Sequence, residues 1–168
     1  MSTDTPSLPV NLVRLPVQAP VTPADTPALV ERLITQFNGQ WVDEHNLDTW
    51  AAAGGDRVLL FTGDTTRFPE GLDVAVVLPE LQQAHAGRFQ IGVVPRASEE
   101  RLARRFGSQR WPTLVFLRDG GYVGALSGML DWEDFVREVG ATLARPISRA
   151  PGVGIAVVSG DAGASHCH

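Results

Sequence analysis

Apolar residues recur at helical spacing early in the chain. After Thr26 and Pro27 they occur as Val30, Leu33, Ile34 and Phe37, and Gly39 ends the pattern. This periodicity is typical of a helix that buries one face. Thr26 suits the N-cap, proline is favoured in a first helical turn, and glycine commonly follows a helix end. The pattern therefore predicts a first helix capped by Thr26.

A different pattern follows, in which apolar residues are consecutive. Residues 58–61 form a continuous apolar run, which is typical of a strand covered on both faces, and we predict this run to be the central strand. We also predict strands at 41–42, 89–94, 113–118 and 121–127, and helices at 46–53, at 72–86 with Pro79 as a kink, from a Ser98-Glu99-Glu100 cap to Phe106, and from a cap formed by Asp131 and Asp134. Alternation followed by a closing hairpin predicts an α/β fold, with a mixed central sheet and helices on both faces.

The two ends of the chain lack this periodicity. Residues 1–25 contain five prolines, and residues 146–168 are rich in glycine, proline and alanine apart from an apolar patch at 155–158. We therefore expect one folded domain over residues 26–145 between an N-terminal and a C-terminal tail.

Composition excludes several classes of function. The 168-residue chain has a formal net charge of −5, and all 14 of its basic residues are arginine, which disfavours nucleic-acid binding. No apolar run is long enough to insert into a membrane. Residues 1–6 have neither the basic nor the apolar region of an export signal, so we expect a cytoplasmic protein. Cys167 is the only cysteine, which precludes an intramolecular disulfide.

One segment carries more information than any other. A helix that ends at Gly107 is followed by Trp111-Pro112-Thr113, by an apolar strand and by a turn at 119–121. This order resembles the C-terminal half of a thioredoxin fold, in which the proline is cis and lies against a Cys-x-x-Cys pair. The resemblance implies a cis Trp111-Pro112 bond and a helix that begins near residues 71–74. No cysteine stands there, and Leu60 occupies the place where many redox members bury an acid.

A wider set of residues resembles a single family. The set comprises Phe61, 69–70, 79–81, 105–107, 111–116, 120–122, 124–128 and 131–132, within roughly residues 29–144. It is similar to the thioredoxin-like hydrogenase accessory proteins known as HyaE, HupG or HoxO. The resemblance implies a non-catalytic maturation chaperone without a cofactor. Its partner would be the small subunit precursor of an uptake [NiFe]-hydrogenase, in particular the twin-arginine signal peptide, before export. Another hydrogenase accessory protein is a second candidate partner.

Candidate binding residues fall into an apolar and an acidic group. The backbone of Trp111, beside cis-Pro112, could pair with an extended peptide while the indole anchors an apolar side chain. Met129 should fall near Pro112, where it suits either a peptide-binding surface or the core. The acidic group is Asp64, Glu70 and Asp73, with Glu80 nearby and Arg67 as the only cation among them. Carboxylates bind arginine through bidentate, charge-assisted bonds, although the same residues also suit a solvated loop.

Two alternative functions remain open. The chain could be a thiol oxidoreductase of thioredoxin type that works through Cys167, or a scaffold subunit of a hydrogenase maturation complex that never binds the signal peptide. The terminal residues His166, Cys167 and His168 are potential metal ligands, but real zinc sites use spaced pairs, so we predict no metal site. The chain has no phosphate-binding glycine motif and no nucleophile elbow.

Overall fold

The computed structural model describes residues 23–152, which form five helices and five strands. In chain order these are α1 (Ala28–Thr35), β1 (Gln40–Trp41), α2 (Leu47–Ala52), β2 (Asp56–Phe61), α3 (Glu70–Ala84), β3 (Phe89–Val93), α4 (Arg96–Arg105), β4 (Thr113–Arg118), β5 (Gly121–Ser127) and α5 (Trp132–Leu143). Most of residues 1–25, the patch at 155–158 and the terminal His166-Cys167-His168 lie outside the described residues.

The strands form one mixed sheet in the order β1-β3-β2-β4-β5. Strand β3 is parallel to both β1 and β2, whereas β4 is antiparallel to its neighbours β2 and β5. The sequence prediction that residues 58–61 lie in the central strand is confirmed, because β2 pairs on both sides and all four residues are buried. Its continuous apolar run reflects burial on both faces.

Two apolar cores lie on opposite faces of this sheet. One contains Val30 of α1, Val74 of α3 and Phe135 of α5. The other contains Trp50 of α2 and Leu102 of α4. Each fully buried apolar side chain contributes about 1.5–3 kcal/mol to folding. The predicted α/β fold with helices on both faces of a mixed sheet is therefore confirmed.

Two helix starts differ from the sequence prediction, and a third is at the predicted residue but lacks the predicted capping hydrogen bond. Pro27 and Pro95 occupy the N-cap positions of α1 and α4, and the Thr26 hydroxyl donates instead to the Pro23 carbonyl. Residues 98–100 do not cap α4, since the helix already begins at Arg96. Asp131 is in the N-cap position of α5, but its side chain makes no capping hydrogen bond. At α1 and α4 the local cap patterns were misleading, because proline can start a helix without a side-chain acceptor.

The residues after α5 contact the sheet edge. Ser148 N–H donates to the Tyr122 carbonyl at 2.7 Å, and this pair forms an antiparallel bridge with β5. Ile147 covers Gly121, and the Pro151 carbonyl lies so close to Gly107 that a Cβ there would be 2.0 Å from it. Part of the edge strand β5 is thus covered by the chain itself, which limits unwanted strand pairing.

Candidate functional site

A cleft lies at the carboxyl ends of the parallel strands β2 and β3, where open α/β sheets commonly bind ligands. The loop 62–69 follows β2, helix α4 follows β3, and the segment before β4 closes the third side. The cleft has a volume of about 430 Å³. Its walls are formed by Gly63, Asp64, Arg67, Phe68, Arg96, Ala97, Glu100 and Trp111.

The loop before β4 is tied down on its inner side. The Trp111-Pro112 peptide bond is cis, as the sequence predicted. Pro112 is buried, and its carbonyl accepts a hydrogen bond from Gly128 N–H at 2.8 Å. The Thr113 hydroxyl donates to the Arg110 carbonyl at 2.6 Å. Among the described residues, by contrast, none forms a hydrogen bond with the backbone N–H or carbonyl of Trp111.

The Trp111 side chain contacts two residues of the loop 62–69. Its ring stacks on Phe68, with 6.3 Å between ring centroids and 25° between planes. Gly63 also packs against Trp111, because an added Cβ there would be 2.7 Å from Cβ, Cγ and Cδ1 of Trp111. The indole N–H is buried and has no partner within the described part of the chain. Trp111 and Phe68 thus form a fixed aromatic wall.

Asp64 shapes the loop that carries this wall. Its carboxylate accepts a hydrogen bond from Thr66 N–H at 2.9 Å, and its carbonyl accepts from the backbone N–H groups of Arg67 and Phe68. The Thr66 N–H, together with the charges of Arg96 and Arg67, lowers the pKa of the Asp64 carboxyl below its usual range. Asp64 is therefore charged at neutral pH and already engaged in the turn.

Arginines balance most of the acidic groups at the cleft. The sequence analysis named Arg67 as the only cation among the acidic residues. The structure adds a second cation, because Arg96 of α4 lines the same cleft. Arg96 Nη1 donates to buried Glu99 at 2.5 Å. Glu100 accepts from Arg104 at 2.6 Å on the exposed side of α4. The cleft is thus close to electrically neutral.

The remaining candidate residues lie outside the cleft lining. Glu70 and Asp73 are exposed in the first turn of α3, where acidic residues favour the helix dipole. No ion pair involves either carboxylate within residues 23–152. Met129 follows Gly128 and is 40% exposed. Only Trp111 and Asp64 of the predicted binding residues line the cleft itself.

Sequence reasoning missed Phe68, Arg96 and above all Glu99. Leu60 is fully buried, as expected of an apolar residue on β2. A buried acid is nevertheless present, since Glu99 of α4 is 0% exposed and accepts a hydrogen bond from the loop 62–69. One signal was available, since Glu99 shares a helix face with three apolar residues. These are Leu102, Ala103 and Phe106, at spacings of three, four and seven positions.

Comparison with known proteins identifies the family. A family model described as Hydrogenase-1 expression protein HyaE matches residues 29–135. The chain belongs to this family. The recognition made from the sequence is confirmed, and the fold is thioredoxin-like.

Two named relatives agree with this assignment. The chain is 53% identical over 153 residues to the hydrogenase expression/formation protein HoxO of Cupriavidus necator, covering 89% of this chain and 94% of the relative. It is 39% identical to the hydrogenase expression/formation protein HupG of Bradyrhizobium diazoefficiens, covering 68% and 78%. This chain can also be aligned with a crystal structure of HupG from Rhodopseudomonas palustris. The two sequences are 39% identical, and the alignment covers 62% of this chain and 95% of the HupG chain with a TM-score of 0.45.

Two further observations describe the molecule as a whole. Within residues 23–152, no helix combines the length and the apolar character needed to cross a membrane. The same residues contain no group of three histidine, cysteine or acidic side chains arranged around a common metal position.

Proposed function

We propose that this member of the HyaE family is a non-catalytic maturation chaperone. It binds the small subunit precursor of an uptake [NiFe]-hydrogenase in the cytoplasm, through the twin-arginine signal peptide, before export. Family membership supports a role in hydrogenase expression or formation. The observation that carries the proposal is the fixed aromatic wall of Trp111 and Phe68, together with the Trp111 N–H and carbonyl, which form no hydrogen bond within residues 23–152.

An extended peptide suits this arrangement for two reasons. Its backbone can pair with the N–H and carbonyl of Trp111, which gives affinity that does not depend on sequence. Its apolar side chains can pack on Trp111 and Phe68, and buried aromatic residues often contribute most of the binding energy of an interface. The apolar stretch that follows the arginines of an export signal provides such side chains.

Acceptors for the arginine pair lie at the start of α3. Phe68 leads directly through Pro69 into this helix, so Glu70 is close in the chain to the aromatic wall. Glu70 and Asp73 are exposed and have no arginine partner among the described residues, whereas Asp64 is engaged in its own turn. We therefore assign the arginine contacts to Glu70 and Asp73, with Asp64 in a supporting role.

A redox role is disfavoured by the chemistry of the same helix start. Thioredoxin catalysis requires a low-pKa thiol near a helix N-terminus. Residues 68–71 are Phe-Pro-Glu-Gly, and Cys167 is the only cysteine in the sequence. We propose that the protein acts without a cofactor and by binding alone.

The test is binding of the small subunit precursor with and without its leader, measured by surface plasmon resonance, which gives both the affinity and the dissociation rate. We expect binding that requires the leader. Trp111→Ala should raise the dissociation rate, because it removes apolar contact. Trp132→Ala is the matched control, since Trp132 is 48% exposed on α5 and does not line the cleft. Equal binding of the leaderless subunit would favour the scaffold function instead.

A further inference from the structure

Glu99 is a buried carboxylate that the proposed binding mode does not use. Its side chain is fully buried on α4, while the next residue, Glu100, has a side chain that is 78% exposed. Burial of a charged group is costly unless it is both paired and hydrogen-bonded. The contacts of Glu99 therefore indicate what its burial achieves.

The two carboxylate oxygens of Glu99 have different partners. Oε1 accepts hydrogen bonds from Gly63 N–H at 3.0 Å and from the Thr62 hydroxyl at 3.3 Å. Oε2 accepts from Arg96 Nη1 at 2.5 Å. One oxygen thus holds the loop that follows β2, and the other holds an arginine that lines the cleft.

Gly63 connects this anchor to the aromatic wall. Its φ is +72°, and an added Cβ would be only 2.7 Å from three side-chain atoms of Trp111. The Thr62 carbonyl, one residue earlier, lies against Gly71 near the start of α3, where an added Cβ would be 2.5 Å away. Residues 62 and 63 are therefore in close contact with three separate elements, namely Glu99 of α4, Trp111 and the start of α3.

We propose that Glu99 is a positioning residue of the cleft. By binding Gly63 and Arg96 at once, it fixes the distance between the loop 62–69 and α4, and thereby the place of Trp111 against Phe68. The effect on signal-peptide affinity rests on the proposed function, but the effect on Trp111 does not.

A simple helix-stabilising ion pair does not account for these contacts. Pairs at spacing i, i+3 normally lie on the exposed surface of a helix and stabilise it only slightly. The Glu99 carboxylate is instead removed from water and shared with a loop 36 positions earlier in the sequence. Its strongest structural consequence is therefore in the loop and not in α4.

The experiment compares variants of the full-length chain by the indole ¹H–¹⁵N resonances of its four tryptophans. The Trp111 resonance is assigned by its loss in Trp111→Phe. Glu99→Gln keeps an acceptor for Gly63 N–H but places an amide donor against Arg96, and Glu99→Ala removes every contact. Thr142→Val is the control, because Thr142 is also fully buried and donates to the Glu138 carbonyl on α5, which does not line the cleft.

We expect the Trp111 resonance to shift in Glu99→Gln and to shift further or broaden in Glu99→Ala, while the resonances of Trp50 and Trp132 stay in place. Affinity for the leader peptide should fall by about ten-fold or more in Glu99→Ala, as for a lost charge-assisted hydrogen bond. Thr142→Val should change neither. If Glu99→Ala does not fold, Glu99→Gln decides alone.

An unmoved Trp111 resonance in folded Glu99→Gln would overturn the positioning role, whatever happens to affinity. If the wild type does not bind the leader, the proposed function fails, and the resonance still decides the role of Glu99. A shift of equal size in Thr142→Val would also overturn it, because the change would then reflect general destabilisation.

Discussion

Replacing Gly63 with alanine tests the packing of the cleft most directly. Two costs combine at this position. A φ of +72° disfavours any residue with a Cβ, by about 1–2 kcal/mol. An added Cβ would also lie 2.7 Å from three atoms of Trp111, and overpacking of this kind costs about 1–3 kcal/mol. We expect Gly63→Ala to lower the free energy of unfolding by roughly 2–5 kcal/mol in total.

Gly87→Ala separates the two costs. Gly87 has a φ of +66°, but an added Cβ would meet no atom within 4 Å. This control should therefore show the backbone cost alone, about 1–2 kcal/mol. The difference between the two variants measures the clash with Trp111. Urea denaturation gives both values, and for a chain of this size each kcal/mol corresponds to about 2–4 °C in Tm.

Measuring Gly63→Ala in the Trp111→Ala variant tests whether the clash involves the indole. Trp111→Ala removes two of the three atoms that a Cβ at position 63 would meet. The cost of Gly63→Ala should therefore fall in that background, and the two substitutions should be non-additive. Equal costs for Gly63→Ala and Gly87→Ala, with no coupling to Trp111, would refute the close packing of the loop against the indole.

Three further predictions concern charge, thiol chemistry and pH. Glu70→Lys and Asp73→Lys should weaken leader binding by about 1 kcal/mol of binding free energy for an exposed pair, and should reduce the salt dependence of binding. Surface-plasmon measurements at about 0.05 and 0.3 M salt test this. An unchanged salt slope would mean that recognition is apolar. Cys167→Ala should leave binding unchanged, and the wild type should not reduce insulin disulfides; reductase activity lost in the variant would contradict a binding-only role. The Asp64 carboxyl has a pKa lowered by Thr66 N–H, so its stabilisation of the turn should be complete above the ordinary aspartate value of about 3.9 and lost as pH falls through the lower folded pKa. Acid titration followed by the amide resonance of Thr66 measures this loss, which Asp64→Asn should abolish.

The sequence by itself determined the elements whose signal is local. The apolar run 58–61 predicts a buried strand because burial on both faces requires apolar side chains at every position. The order of Gly107, Trp111-Pro112 and two following strands predicted the closing hairpin, and its resemblance to a thioredoxin fold implied the cis bond; both are present in the structure. The same segment led to the family, which the family model confirms.

The tertiary structure decided which side chains share the cleft. Glu99 looked like part of a helix cap in the sequence, yet its carboxylate accepts a hydrogen bond from Gly63 N–H in the loop that follows β2. Arg96 enters the cleft only because β2 and β3 end at the same edge of the sheet. The sequence left open whether the predicted tail, residues 146–168, lies on the domain, and in its described part Ser148 pairs with β5. Such contacts depend on strand order and register, which bring distant residues together, whereas periodicity along the chain reports only whether each residue faces the core or the solvent.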